Sequence, residues 1–253
     1  MKSRWIKHDS LTSTSGFISD LLKLQALEEG TVVIADYQDA GRGQGEHSWQ
    51  SNRGKNLLMS LLLYPAFLSA SKQFHLSRVA SLALCDALEN LGIGAEIKWP
   101  NDILSSKGKI AGILIEHSIT AGNISRTIVG LGLNLNQTVF PSFQPPASSL
   151  CLETGKVSDV TGVGELVETC LMSRYHALEA GRTEQLEKDY LERLYKAGIP
   201  SAFKSGEEVF IGTIKGVNDF GELMVEHEGE IRTYGHGAIR MEVKFDQASA
   251  GKS

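Results

Sequence analysis

The chain has 253 residues, of which 42% are hydrophobic and 22% charged, and it carries a formal net charge of −5. This length suffices for one large domain, or for one large and one small domain, with an ordinary globular composition. The acidic balance argues against binding nucleic acid through bulk electrostatics, and no segment is apolar and long enough for a signal peptide or a membrane span, so neither DNA nor a membrane is an expected partner.

The N-terminal half alternates predicted helices and strands. A helix begins within STSGFISDLLKLQAL, where three hydroxyl side chains are placed to accept the free amides of its first turn. Residues 31–38 form a predicted β-branched strand that leads into the glycine-rich stretch YQDAGRGQGEHSW. The continuously apolar run 56–64 indicates a strand inside a sheet, and residues 72–91 have helical spacing.

Three strand-like runs follow, AEIKWPND, KIAGILIEHS and ISRTIVGLGLNLN, and their short connections favour antiparallel pairing. A Pro/Ser-rich loop then leads to two predicted helices, around 160–180 and 183–196. Beyond them the pattern changes to short alternating strands. We therefore predict an α+β fold: a mixed, largely antiparallel sheet packed with helices in residues 1–197, a small C-terminal β-barrel domain in 198–245, and a flexible tail, 246–253.

The glycine-rich stretch has two interpretations. It is either a bulged hairpin turn or a cradle for an anion, in which unhindered amides point at oxygens and Arg42 adds charge-assisted hydrogen bonds. It is not a P-loop, because no GK[ST] follows, and it does not match the GxGxxG dinucleotide fingerprint. The spacing alone leaves both interpretations open.

A second motif, KWPNDI, places Lys98, Asn101 and Asp102 at the end of a predicted strand. The Pro-Asn-Asp sequence is most often only a turn. A cation, an amide and a carboxylate close together also suit a nucleotide and its magnesium ion.

The third motif is GKIAGILIEH, in which Lys109 begins a strand and Gly112 leaves room for a ligand or a second backbone. Most lysines at strand starts are simply solvated. In the following strand, Asn134 lies among apolar residues, so its amide needs partners, which either a structural network or an adenine or ribose group supplies.

The histidines and cysteines give weaker signals. Among the seven histidines only His47 lies in a candidate site, and none has zinc-ligand spacing. No GxSxG nucleophile elbow is present, so no covalent enzyme intermediate is expected. The distant cysteines, with Cys85 and Cys170 predicted as buried free thiols, indicate a reducing compartment and hence a cytoplasmic location.

Taken together and in this order, STS, YQDAGRGQGEHSW, NLLMSLLL, KWPNDI, GKIAGILIE and GLGLNLN resemble the biotin protein ligases, from about residue 10 to 136. The stretch from about 200 to 243 resembles the small SH3-like β-barrel of that family. The resemblance implies a biotin–[acetyl-CoA-carboxylase] ligase. Such an enzyme uses ATP and Mg²⁺ to activate biotin as biotinyl-5'-AMP, releases pyrophosphate, and transfers biotin to a lysine of a biotin carboxyl carrier protein.

The resemblance also implies roles for individual residues. Arg42 and Lys109 are the expected catalytic residues, because they contact the biotin carboxylate and the phosphates. The implied biotin-binding set is Ser13, Thr14, Ser15, Gln38, Gly41, Arg42, Gly43, Gln44, Trp49, Lys109 and Gly112. The implied ATP and magnesium side comprises Arg42, Trp49, Lys98, Asn101, Asp102 and Asn134, with Mg²⁺ brought by ATP and Asp102 as a further ligand.

The chain departs from the family pattern in its loop. Relatives usually carry GRGRxGRxW, whereas here Gln44 and His47 replace basic residues and the later glycine has moved to give Gly45-Glu46. One permanent cation therefore stands where relatives often have three. The first triplet is STS where STN is common. The chain begins about ten residues before this triplet, so no N-terminal DNA-binding domain is expected.

Two alternative functions remain. A lipoate–protein ligase or octanoyltransferase shares the architecture, but it is expected to lack the GRG loop and the KWPND motif. A non-catalytic biotin sensor is suggested by the reduced charge of the loop, although the presence of Arg42, Lys109 and Asp102 favours an enzyme. The sequence leaves open whether the chain forms a homodimer.

Overall fold

The computed structural model describes residues 4–45 and 47–241 and contains two β-sheets. The larger sheet has the strand order β1-β2-β3-β7-β6-β5-β4. Its strands are β1 (Trp5–His8), β2 (Val32–Ala35), β3 (Leu57–Leu63), β4 (Glu96–Lys98), β5 (Asp102–Ser105), β6 (Gly108–Thr120) and β7 (Asn123–Leu133). The pair β1–β2 is parallel and the other pairs of this sheet in the described residues are antiparallel, which confirms the predicted mixed, largely antiparallel sheet.

Helices cover both faces of the larger sheet. They are α1 (Thr14–Leu24), α2 (Phe74–Asn90), α3 (Leu150–Thr154), α4 (Val160–Glu179) and α5 (Thr183–Glu192). On one face, Val33 and Leu62 pack with Ile18 of α1; on the other, Val32 and Leu61 join the core with α2 and α4. Because both faces are covered, every residue of β3 is buried, which explains why its sequence is apolar at every position except Ser60.

The second sheet is antiparallel and has the order β11-β10-β9-β8-β12. Its strands are β8 (Ser201–Ser205), β9 (Glu208–Val217), β10 (Leu223–His227), β11 (Glu230–Tyr234) and β12 (Arg240–Met241). The α+β class with a small C-terminal β unit is confirmed. The domain boundaries stay predictions, and the end of the predicted barrel domain together with the tail, 242–253, lies outside the described residues.

Three local features differ from the sequence-based expectations. Strand β1 and helix α3 were not predicted, because β1 is a short edge strand without alternating polarity and α3 has only five residues. Asp102 does not lie in the turn with Asn101. It begins β5 directly opposite Lys98, so the turn between the two strands is shorter than the motif indicated.

The cysteines are free, as predicted, but only Cys85 is fully buried, whereas Cys170 is half-buried. Burial raises the pKa of the Cys85 thiol to about 12, so this thiol stays protonated at neutral pH. Among the helices within 4–45 and 47–241, none is both long enough and apolar enough to cross a membrane.

The buried guanidinium of Arg78, on α2, forms hydrogen bonds and ion pairs that connect this helix to the second sheet. Its Nη2 donates to the carbonyl of Val217 at 2.8 Å, and its Nη1 donates to Glu187 at 3.2 Å and lies 3.7 Å from Asp219. Nη1 also lies 3.1 Å from Nδ1 of His75. Burial and the Arg78 charge lower the pKa of His75, so this ring is neutral and accepts at Nδ1.

Replacing Arg78 tests this junction. We expect Arg78→Ala to lower the free energy of unfolding by about 2 kcal/mol, because the Val217 carbonyl loses its donor and two carboxylates lose their cation. The value is below that of a fully buried ion pair because Glu187 and Asp219 are about half exposed. Urea unfolding measures the change. Arg232→Ala, at an exposed pair on β11, is the control and leaves the midpoint unchanged; an unchanged midpoint for Arg78→Ala as well would contradict the assignment.

Candidate active site

A cavity of about 640 Å³ is lined by residues of both sheets. Cavities of this size hold small-molecule ligands. The lining includes every predicted site residue except Gly41, so the structure brings together side chains from motifs more than 100 residues apart. The predicted residues that line it are Ser13, Thr14, Ser15, Gln38, Arg42, Gly43, Gln44, Trp49, Lys98, Asn101, Asp102, Lys109, Gly112 and Asn134.

One end of the cavity carries a chain of hydroxyl groups at the start of α1. Ser13 caps the helix by accepting from the amide of Gly16, as predicted. The hydroxyl of Ser60, on β3, lies 2.7 Å from that of Thr14 and 2.8 Å from that of Ser15. Sequence reasoning missed Ser60, since a single serine in an apolar strand carries no motif. These buried hydroxyls can both donate and accept, which suits a neutral polar ligand group.

Gln38 is fixed beside this hydroxyl chain. Its Oε1 accepts from the backbone amide of Thr14 at 2.8 Å and from the Thr14 hydroxyl at 3.1 Å. With its oxygen engaged by α1, the side-chain nitrogen is the group left to donate to a ligand.

The glycine-rich stretch forms a hairpin-like loop. Arg42 and Ser48 form an antiparallel bridge, the amide of Gly43 donates to the carbonyl of His47, and the amide of Trp49 donates to Gly41. An added Cβ on Gly41 would lie 2.6 Å from the Trp49 carbonyl oxygen, so the close approach of the two loop arms requires glycine there. The loop therefore has the geometry of the first interpretation, while its inner side faces the cavity.

Arg42 forms an ion pair with Glu116 on β6, with 2.8 Å between Nη2 and Oε2. Both side chains are substantially exposed, at 48% and 36%. Such a pair contributes little to stability, so an anionic ligand competes for this guanidinium at low cost.

Asp102 lies between two lysines. Its Oδ1 is 2.6 Å from Nζ of Lys109, and its Oδ2 is 3.5 Å from Nζ of Lys98. The Lys98–Asp102 contact follows from their direct pairing across β4 and β5, and Lys109 reaches the same carboxylate from β6. Two ammonium groups and one carboxylate leave a net positive charge here, which attracts phosphates and carboxylates.

The indole of Trp49 lies on a floor of two glycines. Gly112 and Gly132 pair directly across β6 and β7, and an added Cβ would lie 2.9 Å and 2.4 Å, respectively, from indole carbons. The room that the sequence predicted at Gly112 is thus filled by this ring, with Nζ of Lys109 5.6 Å from its centre. Trp49 Nε1 and Gln44 Oε1 are buried without a hydrogen-bond partner in the described residues, so each can bond a ligand.

The two predicted asparagines are held by backbone carbonyls. Asn101 donates to the carbonyl of Ile113, and the side chain of Asn134, 4% exposed, donates to that of Ser148, both at 3.0 Å. The sequence left open whether the Asn134 amide bonds to the protein or to a ligand, and the structure shows a bond to the protein. Both residues still border the cavity, so their predicted contacts to ATP remain predictions.

Several lining residues come from segments that the motifs did not cover. Among the described charged residues of the lining, four are basic and one is acidic: Arg42, Lys98, Lys109 and Arg240 against Asp102. His236 also lines the cavity, in contrast to the expectation that only His47 does so. The second sheet supplies lining residues only because of how it packs against the first sheet, and local sequence patterns do not predict that packing.

Few side chains of the cavity could bind a magnesium ion. Asp102 is the one carboxylate among the described residues of the lining, and both of its oxygens face lysines. Since Mg²⁺ binds through one or two carboxylates together with substrate phosphates and water, Asp102 suffices only if the phosphates supply further ligands. A separate group, His75, Glu187 and Asp219, has ligand atoms within 4.8 Å of one another. The guanidinium of Arg78 already occupies that position, which disfavours a cation.

Residues 5–134 match the Biotin/lipoate A/B protein ligase family. The chain belongs to this family. It is 33% identical to the bifunctional ligase/repressor BirA of Bacillus subtilis over 241 residues, which cover 92% of this chain and 73% of that protein. It is also 33% identical to the biotin–[acetyl-CoA-carboxylase] ligase of Paracoccus denitrificans, over 85% of this chain and 92% of the relative.

This member of the Biotin/lipoate A/B protein ligase family also matches a solved structure in its fold. The biotin protein ligase of Aquifex aeolicus, in complex with biotin and ATP, superposes with a TM-score of 0.78 at 26% identity. The match covers 95% of this chain and 99% of that one, so it includes the second sheet.

Proposed function

We propose that this chain is an ATP-dependent biotin–protein ligase, which activates biotin as biotinyl-5'-AMP and transfers it to a lysine of a biotin carboxyl carrier protein. The observation that carries this proposal is the cavity, in which a chain of neutral hydroxyls and an excess of basic side chains lie together in an acidic protein. Relatives named as biotin ligases and a neighbour that binds biotin and ATP support the same reaction.

The reaction requires both the neutral hydroxyl end of the cavity and its positively charged end. A carboxylate is a poor electrophile, so one of its oxygens first attacks the α-phosphorus of ATP, and pyrophosphate leaves. The two reacting groups are both anions, and fixed cations lower their repulsion and stabilise the charge that develops at phosphorus. The lysine amine of the carrier then attacks the activated carbonyl carbon, and AMP leaves.

We assign roles to the lining residues on this basis. Thr14, Ser15 and Gln38 bind the neutral ureido group of biotin, since their free donors and acceptors lie at the uncharged end. Lys109 and Arg42 bind the carboxylate and the α-phosphate at the charged end. In this proposal Lys98 lies on the phosphate side.

Mg²⁺ belongs to the same proposal. When bound, it neutralises the phosphate charge and makes pyrophosphate a better leaving group. Asp102 is the residue that would hold it, and the two lysines orient this carboxylate. The expectation that the chain acts without DNA stays a prediction that rests on its net charge of −5.

Mass spectrometry of a carrier domain tests the function. Purified chain, Mg-ATP and the carrier are mixed with biotin or with lipoate, and the carrier is weighed. We expect a mass gain that matches biotin alone and requires ATP. A gain with lipoate would identify a lipoate ligase, and tight biotin binding without any gain would identify a sensor; either result refutes the proposal.

The altered loop leads to a specific prediction for Gln44. Its buried Oε1 has no partner among the described residues, and it stands where relatives often carry arginine. We expect Gln44→Arg to slow release of biotinyl-AMP about tenfold, because a guanidinium adds a charge-assisted hydrogen bond to the phosphate. Filter binding of labelled adenylate measures the rate. Asn52→Arg, at an exposed position beside the same loop but outside the cavity lining, is the control, and an unchanged rate for Gln44→Arg would refute the prediction.

A further inference from the structure

Glu153, in α3, accepts hydrogen bonds from serines of two separate segments. Its Oε1 accepts from the hydroxyls of Ser105 and Ser148, both at 2.6 Å, and from the amide of Lys107 at 3.3 Å. Its Oε2 accepts from the exposed hydroxyl of Ser106 at 3.0 Å. One carboxylate thus joins the turn between β5 and β6 to the segment that precedes α3.

This carboxylate is ionised at neutral pH. Burial alone would raise the pKa of Glu153, but hydrogen bonds from Ser105, Ser148 and Ser106, with the Lys107 charge, hold it below its usual value. Hydrogen bonds to an ionised acceptor are stronger than neutral ones, so the link between the two segments is firm.

The segment before α3 pairs directly with the backbone of Lys109. The Lys109 amide donates to the carbonyl of Pro146 at 2.7 Å, and the Ser148 amide donates to the carbonyl of Lys109 at 2.8 Å. An added Cβ on Gly108 would lie only 2.0 Å from the Pro146 oxygen, which shows how closely the segments approach. The Ser148 carbonyl also accepts from the side chain of Asn134. Ser148 therefore connects Glu153 to two residues of the cavity.

We propose that Glu153 is a positioning residue for adenylate formation, which fixes the backbone at Lys109 and the amide of Asn134 through Ser148. The inference rests on the proposed function. Glu153 is not among the described residues that line the cavity, so it acts on the reaction only through these neighbours. The motifs that pointed to the site did not include it.

Amide hydrogen exchange tests the structural part without any catalysis. In Glu153→Ala and in Ser148→Ala, we expect the amides of Lys109 and Ser148 to exchange at least tenfold faster, while the Leu131 amide in the sheet core is unchanged. Ser106→Ala is the matched control, because it removes a hydrogen bond to the same carboxylate on its exposed side. Equal protection of the Lys109 amide in all variants would overturn the proposal.

Single-turnover formation of biotinyl-AMP tests the catalytic part. We expect the rate constant to fall about tenfold in Glu153→Ala and Ser148→Ala and to stay within twofold in Ser106→Ala. A purely structural role would lower the amplitude with the folded fraction and leave the rate constant unchanged, and that result would overturn the proposal. If the wild-type chain forms no adenylate, the proposed function fails, whereas the exchange data still decide whether Glu153 holds Lys109.

Discussion

Lys109→Ala is expected to slow the formation of biotinyl-AMP by about 10²- to 10³-fold. The ammonium group lies 2.6 Å from Asp102 and 5.6 Å from the centre of the Trp49 ring, so it is held at the charged end of the cavity before any substrate arrives. Removing one such preorganised donor at a reacting oxyanion costs about 10²- to 10³-fold in other enzymes. Rapid-quench single-turnover kinetics measures the rate constant.

The binding of biotin separates this effect from general damage. The hydroxyls of Thr14 and Ser15 are not altered by Lys109→Ala, so we expect the biotin affinity to fall less than tenfold. Lys23→Ala removes an exposed lysine on α1 that pairs with Asp20, and it serves as the control with an unchanged rate. A rate constant for Lys109→Ala within threefold of wild type would contradict the assigned role.

Gly132→Ala is expected to weaken biotin binding by about tenfold to hundredfold. The new methyl group would lie 2.4 Å from Cε2 of Trp49, so the indole must leave its floor and move into the cavity. Overpacking of this kind costs about 1–3 kcal/mol, which corresponds to that range of affinity. Titration calorimetry with biotin measures the dissociation constant.

Gly94→Ala is the matched control for this substitution. An added Cβ on Gly94 meets no atom within 4 Å, and the residue does not adopt the left-handed backbone conformation. We expect its biotin affinity to equal that of the wild type. If Gly132→Ala binds biotin equally well, the indole does not depend on the glycine floor.

The sequence predicts the chemistry of this site better than its geometry. KWPNDI indicated a cation, an amide and a carboxylate close together, and Oδ2 of Asp102 indeed lies 3.5 Å from Nζ of Lys98. The contact between Asp102 and Lys109 was not predicted. The predicted cap of α1 lay within three hydroxyl residues, and Ser13 is the one that caps the helix. The residues of each predicted feature lie within a few positions of one another in the chain, so short sequence motifs can predict such features.

Other features depend on register and long-range packing. Trp49 lies over Gly112 and Gly132 only because those glycines pair across β6 and β7, and a shift by one residue would remove the floor. The network around Glu153 requires α3, which is too short to give a periodic signal. Arg240 reaches the cavity from the second sheet, and its position reflects the packing of the two sheets.

The central claim is that this cavity activates biotin as an adenylate. The most direct measurement is the yield of biotinyl-AMP when the purified chain is mixed with Mg-ATP and biotin, without a carrier. We predict up to one biotinyl-AMP and one pyrophosphate per chain, and no adenylate when lipoate replaces biotin. Tight biotin binding with no adenylate, or equal adenylate yields from biotin and lipoate, would contradict the account.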